Sequence, residues 1–136
     1  MDFPAYPFDN DHLDYKLMWY SHHHKYLEDY FKLAVIQYNE WDKTYSIYPM
    51  NNALHFIKRI SNYMKQLEIY FHEHKKEFVK LFPKDNEFYG IRDINLAIRD
   101  IMKQTRRMYY NIRRNPLHDV SELPRRFYTS PYGVLE

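Results

Sequence analysis

Histidine offers this chain its widest choice of chemistry. Five of the eight histidines fall in two clusters, His22-His23-His24 and His72-Glu73-His74. Consecutive helical residues point about 100° apart, so His22 and His23 cannot join His24 on one ion, and His72 is likewise separated from His74. If the two helices form a hairpin centred near residue 47, His24 faces the level of Tyr70 and His74 faces Tyr20. The two imidazoles would then lie about one helical turn apart, roughly 5–6 Å. Glu28, four residues after His24 and on the same face, would add a carboxylate. The ligand count argues against this arrangement. The third helix brings Ile94, Ile98 and Ile101 to that level, and neither His-Glu-x-x-His nor a pair of Glu-x-x-His motifs is present. The chain is therefore expected to use no metal and no cofactor. His24, His74 and Glu28 are the residues a metal would take in the least favoured of three functional readings. The favoured account is a polar layer: neutral His24 and His74 bonded to tyrosine hydroxyls such as those of Tyr20 and Tyr70, fixing helix register.

Catalysis finds little else to work with. The absence of cysteine excludes thiol catalysis, a disulfide scaffold, Cys-ligated zinc and an iron–sulfur cluster. Gly90 and Gly133 are the only glycines, too few for a phosphate-cradling loop or a nucleophile elbow around Ser21. Asp93 and Asp100, flanked by Arg92, Arg99 and Arg107, read as exposed ion pairs worth little individually. The chain is expected not to be an enzyme.

A basic segment carries a second kind of chemistry. Six bases lie between Arg99 and Arg114, seven if Arg92 is included, with Tyr109 and Tyr110 among them. Arginine interleaved with tyrosine is the composition used on phosphate backbones and stacked bases. Lys103, Arg106, Arg107, Tyr110, Arg113 and Arg114 are the candidate contacts to a nucleic acid or an acidic protein surface. The net charge of +2 and pI near 8.6 fall short of strongly basic nucleic-acid-binding domains. Charge is nevertheless distributed unevenly. Residues 1–45 hold 8 acids and 4 bases, and residues 99–136 hold 4 acids and 8 bases, so the two ends are of opposite sign.

Helices must position these groups. One series runs Leu13, Leu17, Tyr20, His24, Leu27, Phe31, Ala34, Tyr38, Trp41; a second Ala53, Ile57, Ile60, Met64, Leu67, Phe71, His74, Phe78, Leu81; a third Ile91, Ile94, Ile98, Ile101, Thr105, Met108, Ile112. All three alternate steps of three and four, the period of helices packed with coiled-coil geometry. Asn10 or Asp11 can cap the first helix. The stretch from Lys43 to Met50, containing Pro49, separates it from a second helix capped by Asn51 or Asn52. Pro83 ends the second, Asp85 or Asn86 caps the third, and Pro116 stops it after Arg113 and Arg114, which suit a C-terminal dipole. The expected fold is all-α: an elongated antiparallel three-helix bundle with helices over about 11–43, 52–82 and 87–114. At 136 residues the chain fits one domain, a bundle over 11–114 between extended tails at 1–10 and 115–136.

Aromatics suggest what the bundle is for. Of 26, six occupy the seams, six lie in the tails, and fourteen, including Trp19, Tyr26, Tyr63 and Tyr109, fall on flanks and connections. A slim bundle is expected to leave many exposed, and exposed Tyr, Trp and Arg anchor protein interfaces. The tails, where prolines punctuate the chain, either fold back on the bundle or reach across a neighbour, and Phe3, Tyr6, Phe8, Phe127, Tyr128 and Tyr132 are their partner-binding candidates. The favoured reading is a non-catalytic structural or accessory subunit docked among protein subunits of a larger assembly, such as a respiratory-chain complex, a ribonucleoprotein or a virion. The runner-up is a nucleic-acid-binding bundle using the basic third helix. No apolar run approaches membrane-spanning length, and the N-terminal residues resemble neither a secretory signal nor a transit peptide. An intracellular location is the default expectation, with an organelle or virion as alternatives.

Overall fold

From Leu13 to Thr44 the sequence contains neither glycine nor proline, so nothing interrupts the backbone ladder that its heptad pattern favours. The computed structural model describes residues 13–78, 90–115 and 122–127. Among these the protein is all-α, with no strand. The helices are α1 (Leu13–Thr44), α2 (Ile47–Glu73), the four-residue α3 (Lys75–Phe78) and α4 (Gly90–Arg113). With 32 residues, α1 is about 48 Å long.

The α1–α2 connection is much tighter than the sequence suggests. Thr44 Oγ1 donates back to the Glu40 carbonyl at 2.9 Å, and Tyr45 turns the chain with a left-handed φ of 52°. Ser46 is extended, with φ −76° and ψ 143°, and α2 begins at the next residue. Pro49 therefore lies inside the first turn of α2. The expected break from Lys43 to Met50 shrinks to Tyr45-Ser46, and the N-cap is Ser46 rather than Asn51 or Asn52. Proline is tolerated there because the first amides of a helix have no intrahelical acceptor.

The expected second helix over 52–82 is interrupted inside its span, whereas the end of α4 lies within a residue of expectation. α2 breaks at His74, whose amide donates to the Tyr70 and Phe71 carbonyls, and α3 continues after it with the Glu77 amide donating to the His74 carbonyl at 3.0 Å. Residues 79–89, which include the expected end of the second helix and start of the third, lie outside the described residues. α4 closes with the Arg114 amide on the Tyr110 carbonyl and the Asn115 amide on the Ile112 carbonyl.

The three long helices share one core. α1 contributes Tyr20, Leu27, Ala34 and Trp41; α2 contributes Ala53, Ile57, Ile60, Met64, Leu67 and Phe71; α4 contributes Ile98, Ile101, Met108 and Ile112. Every one is a seam position, and each fully buried Ile, Leu or Met side chain stabilises by about 1.5–3 kcal/mol. Thr105, the polar member of the third seam, is fully buried and donates its hydroxyl to the Ile101 carbonyl at 2.7 Å. The Tyr20 ring lies 6.0 Å from that of Phe71, while Asn52 Nδ2 donates to Gln37 Oε1 at 3.3 Å. Rising numbers on α1 thus meet falling numbers on α2.

The aromatic expectation needs correcting. Trp19, Tyr63 and Tyr109, assigned to flanks, are buried, and Tyr30, Phe56, Tyr70 and Tyr110 pack partly buried against the core. A helix buried against two others hides a stripe wider than its heptad seam, so neighbouring positions also face inward. Tyr26, Tyr45 and Tyr48 remain exposed. Much of the apparent aromatic surplus therefore belongs to the core.

Candidate functional site

The last three turns of α4 carry the densest charge. Lys103, either Arg106 or Arg107, Tyr110 and Arg114 recur every three or four residues, opposite the buried positions Ile98, Thr105 and Ile112. Lys103, Arg106, Arg107, Tyr110, Asn111 and Arg114 line one hollow of about 350 Å³. Asn111 Nδ2 donates to the Tyr38 hydroxyl of α1 at 2.8 Å, which fixes that wall. Asp100, one turn before Lys103, accepts from Gln104 Nε2 at 2.8 Å. Five of the six residues expected to meet an anion thus converge.

The sixth, Arg113, has another task. Its Nε donates to the Pro124 carbonyl at 3.2 Å, and the Tyr109 hydroxyl donates to the same oxygen. Burial pushes the Tyr109 phenol pKa upward against the opposing effect of Arg113, so the phenol keeps its proton and serves as a donor. The Tyr110 hydroxyl accepts from the Phe127 amide at 3.1 Å, and the Phe127 ring is buried 5.7 Å from that of Tyr109. Residues 122–127 therefore fold back on their own helices. Phe127, expected to meet a partner, instead packs in the chain's own core because α4 offers it an aromatic wall and an amide acceptor. Phe3, Tyr6, Phe8, Tyr128 and Tyr132 lie outside the described residues.

This return places Arg125 and Arg126, both exposed, beside the end of α4. Reasoning from sequence missed them because the segment was read as tail. The pattern Pro124-Arg125-Arg126-Phe127 held the signal, since an aromatic next to paired arginines can anchor them. On the α2 side the same segment borders a second hollow of about 580 Å³, whose lining includes His55, Lys58, Glu122 and Arg126.

A further exposed face was also missed. Met18, Tyr26, Leu33 and Ile36 are 52%, 43%, 44% and 60% exposed on the side of α1 turned away from its core seam. With His22, Asp29 and Glu40 between them they follow steps of three and four, a second heptad line superimposed on the first. Lys25 and Lys32 flank it.

The histidines are arranged differently from expectation. His23, not His24, enters the core, where its Nδ1 and the Tyr63 hydroxyl share a hydrogen bond. Burial, with a smaller contribution from neighbouring His22, lowers the His23 pKa to about 4. Burial also lowers that of His24, opposed by Glu28. His24 Nε2 is buried and has no hydrogen-bond partner. The Tyr70 ring lies 4.5 Å from Trp19, against the expected level of His24, because the two-residue turn shifts the hairpin register. His74 approaches Glu77 Oε1 at 3.9 Å, and its ring lies 4.5 Å from that of Tyr70, tilted by 55°. The polar layer is thus built by His23 with Tyr63. Among the described residues no three His, Cys, Asp or Glu side chains could together hold a metal ion.

No helix among the described residues is long and apolar enough to cross a membrane. Compared with known proteins, the chain matches no family model, no curated protein and no solved structure.

Proposed function

We propose that this chain is a non-catalytic docking unit, an elongated antiparallel three-helix bundle that seats in a larger assembly by helix-on-helix packing. The exposed apolar residues of α1 carry the proposal: Met18, Tyr26, Leu33 and Ile36 share the outer face of the helix, and among the described residues no helix covers them. Such a face favours an amphipathic helix, since apolar side chains at that spacing fill the gaps of an opposing stripe. The flanking Lys25 and Lys32 select a partner helix with acidic residues beside its apolar line. The buried Trp19, Tyr63 and Tyr109 add nothing to docking, so the reading rests on α1 rather than on a general aromatic surplus.

The test places a photo-crosslinking residue at position 36 of the full chain in its native source and compares it with one at Asn62, on another helix. Crosslinking from position 36 to one protein, abolished in the Leu33→Glu variant while helical content and melting are kept, is the expected result. A chain that migrates as a free 17.0 kDa monomer in native extracts, without a crosslinked partner at position 36, would overturn the proposal.

A further inference from the structure

We infer that the cationic face of α4 binds the phosphate backbone of a single-stranded nucleic acid, with Tyr110 stacking on a base. The binding surface consists of Lys103, Arg107 and Arg114, which line one hollow with Tyr110. From Lys103 to Arg114 this stretch spans about 16 Å. A backbone carrying a charge on every nucleotide presents several phosphates over such a length. Two of these three cations are arginines, whose planar fork matches two phosphate oxygens at once.

Charge alone would suit an acidic peptide equally well, and Tyr110 makes the distinction. It lines the same hollow as Lys103, Arg107 and Arg114, half-buried, with its hydroxyl held by the Phe127 amide. Phe127 is in turn packed in the core, so the phenol ring stands at a fixed place within the arginine stripe. A fixed aromatic ring between phosphate-binding groups is a stacking platform for a base, a role that an acidic side chain does not need. The wall opposite is also fixed, because Asn111 is tied to Tyr38. The surface is therefore built before a ligand arrives, and little ordering opposes binding. It lies apart from the apolar face of α1, so this inference stands or falls independently of docking.

The experiment titrates the full chain into a fluorescently labelled oligouridylate and, separately, a labelled poly-glutamate peptide, at rising potassium chloride. The oligouridylate should bind at low salt, with the logarithm of its affinity falling with a slope of about −2 for three phosphate contacts. Arg107→Gln with Arg114→Gln should make that slope shallower by about 1.4 and preserve the helical spectrum. Tyr110→Ala should weaken binding at least about fivefold, and Tyr110→Phe, which keeps the ring but loses its hydroxyl anchor, should weaken it less. Binding that ignores salt, is absent at low salt, survives the double substitution unchanged or is matched by poly-glutamate would overturn the inference. Loss in Tyr110→Phe equal to that in Tyr110→Ala would also overturn it, showing that the hydroxyl anchor rather than the ring matters.

Discussion

His23 of α1 and Tyr63 of α2 are joined by a hydrogen bond inside the core, their ring centroids 5.7 Å apart. Burial keeps the Tyr63 phenol protonated by raising its pKa and keeps the imidazole neutral by lowering its own. The pair satisfies two polar groups that would each be costly to bury alone. It also ties one α1 level to one α2 level. Sliding the helices by a turn would break that bond.

That neutrality makes the fold acid-sensitive. His23 takes up its proton near pH 4 in the folded chain and near 6.5 in the unfolded one. Its contribution to stability is complete above roughly pH 7 and declines as pH falls through 6.5 toward 4, because only the unfolded chain gains a proton in that window. The lowered His24 pKa acts in the same direction. The expected slope is on the order of 1 kcal/mol per pH unit. Urea midpoints measured at intervals between pH 7 and pH 5 check it, and a midpoint that does not move would show His23 charged in the fold.

His24→Leu should stabilise the protein by roughly 1 kcal/mol. The imidazole Nε2 is buried without a hydrogen-bond partner, and leucine removes that desolvated group while filling a similar volume. Tyr63→Phe should act oppositely and cost about 1–2 kcal/mol by stranding His23 Nδ1. Chemical denaturation of the two variants side by side tests the assignment; equal losses would show that both histidines have satisfied partners.

These two residues also show how far the sequence could be read. Heptad spacing located the core on α1, α2 and α4, because apolar burial repeats with the helix itself and needs no tertiary knowledge. It assigned the interior histidine to His24, the strict seam position, although the hidden stripe is wide enough to bring His23 inward. The hairpin register depended on whether Pro49 belonged to a loop or to a first helical turn, both compatible with proline, and only the left-handed Tyr45 decides it. Arg106, Arg107 and Arg114 were legible as one face because they share a helix. Arg125 and Arg126 were not, because their position depends on Tyr109 and Arg113 capturing the Pro124 carbonyl across a connection whose path no periodicity encodes.

At Tyr45 the left-handed backbone costs a side-chain-bearing residue about 1–2 kcal/mol, offset by the edge contact of its ring with Trp41 at 5.6 Å. Tyr45→Ala loses the contact and keeps the backbone cost, whereas Tyr45→Gly loses both. Thermal melting should therefore rank the glycine variant above the alanine variant by about 1 kcal/mol. The reverse order would place the turn in another conformation.

Phe127→Ala should destabilise by about 3–5 kcal/mol, since the ring is buried against Tyr109. Ile98→Asp, at a fully buried position of α4, should be more severe and leave little folded protein at room temperature. Circular dichroism of both variants separates the outcomes. A Phe127→Ala protein as stable as the parent would mean that residues 122–127 contribute no anchoring.

The two-residue link between α1 and α2 also bears on the order of assembly. Closing so short a loop costs little chain entropy, so the pairing of these helices can zip outward from Tyr45 through contacts that are local in sequence. During synthesis both partners leave the ribosome before α4 does. The third helix then meets a surface already carrying Ile57, Ile60 and Met64, and its amphipathic pattern needs only to find that groove rather than to build it.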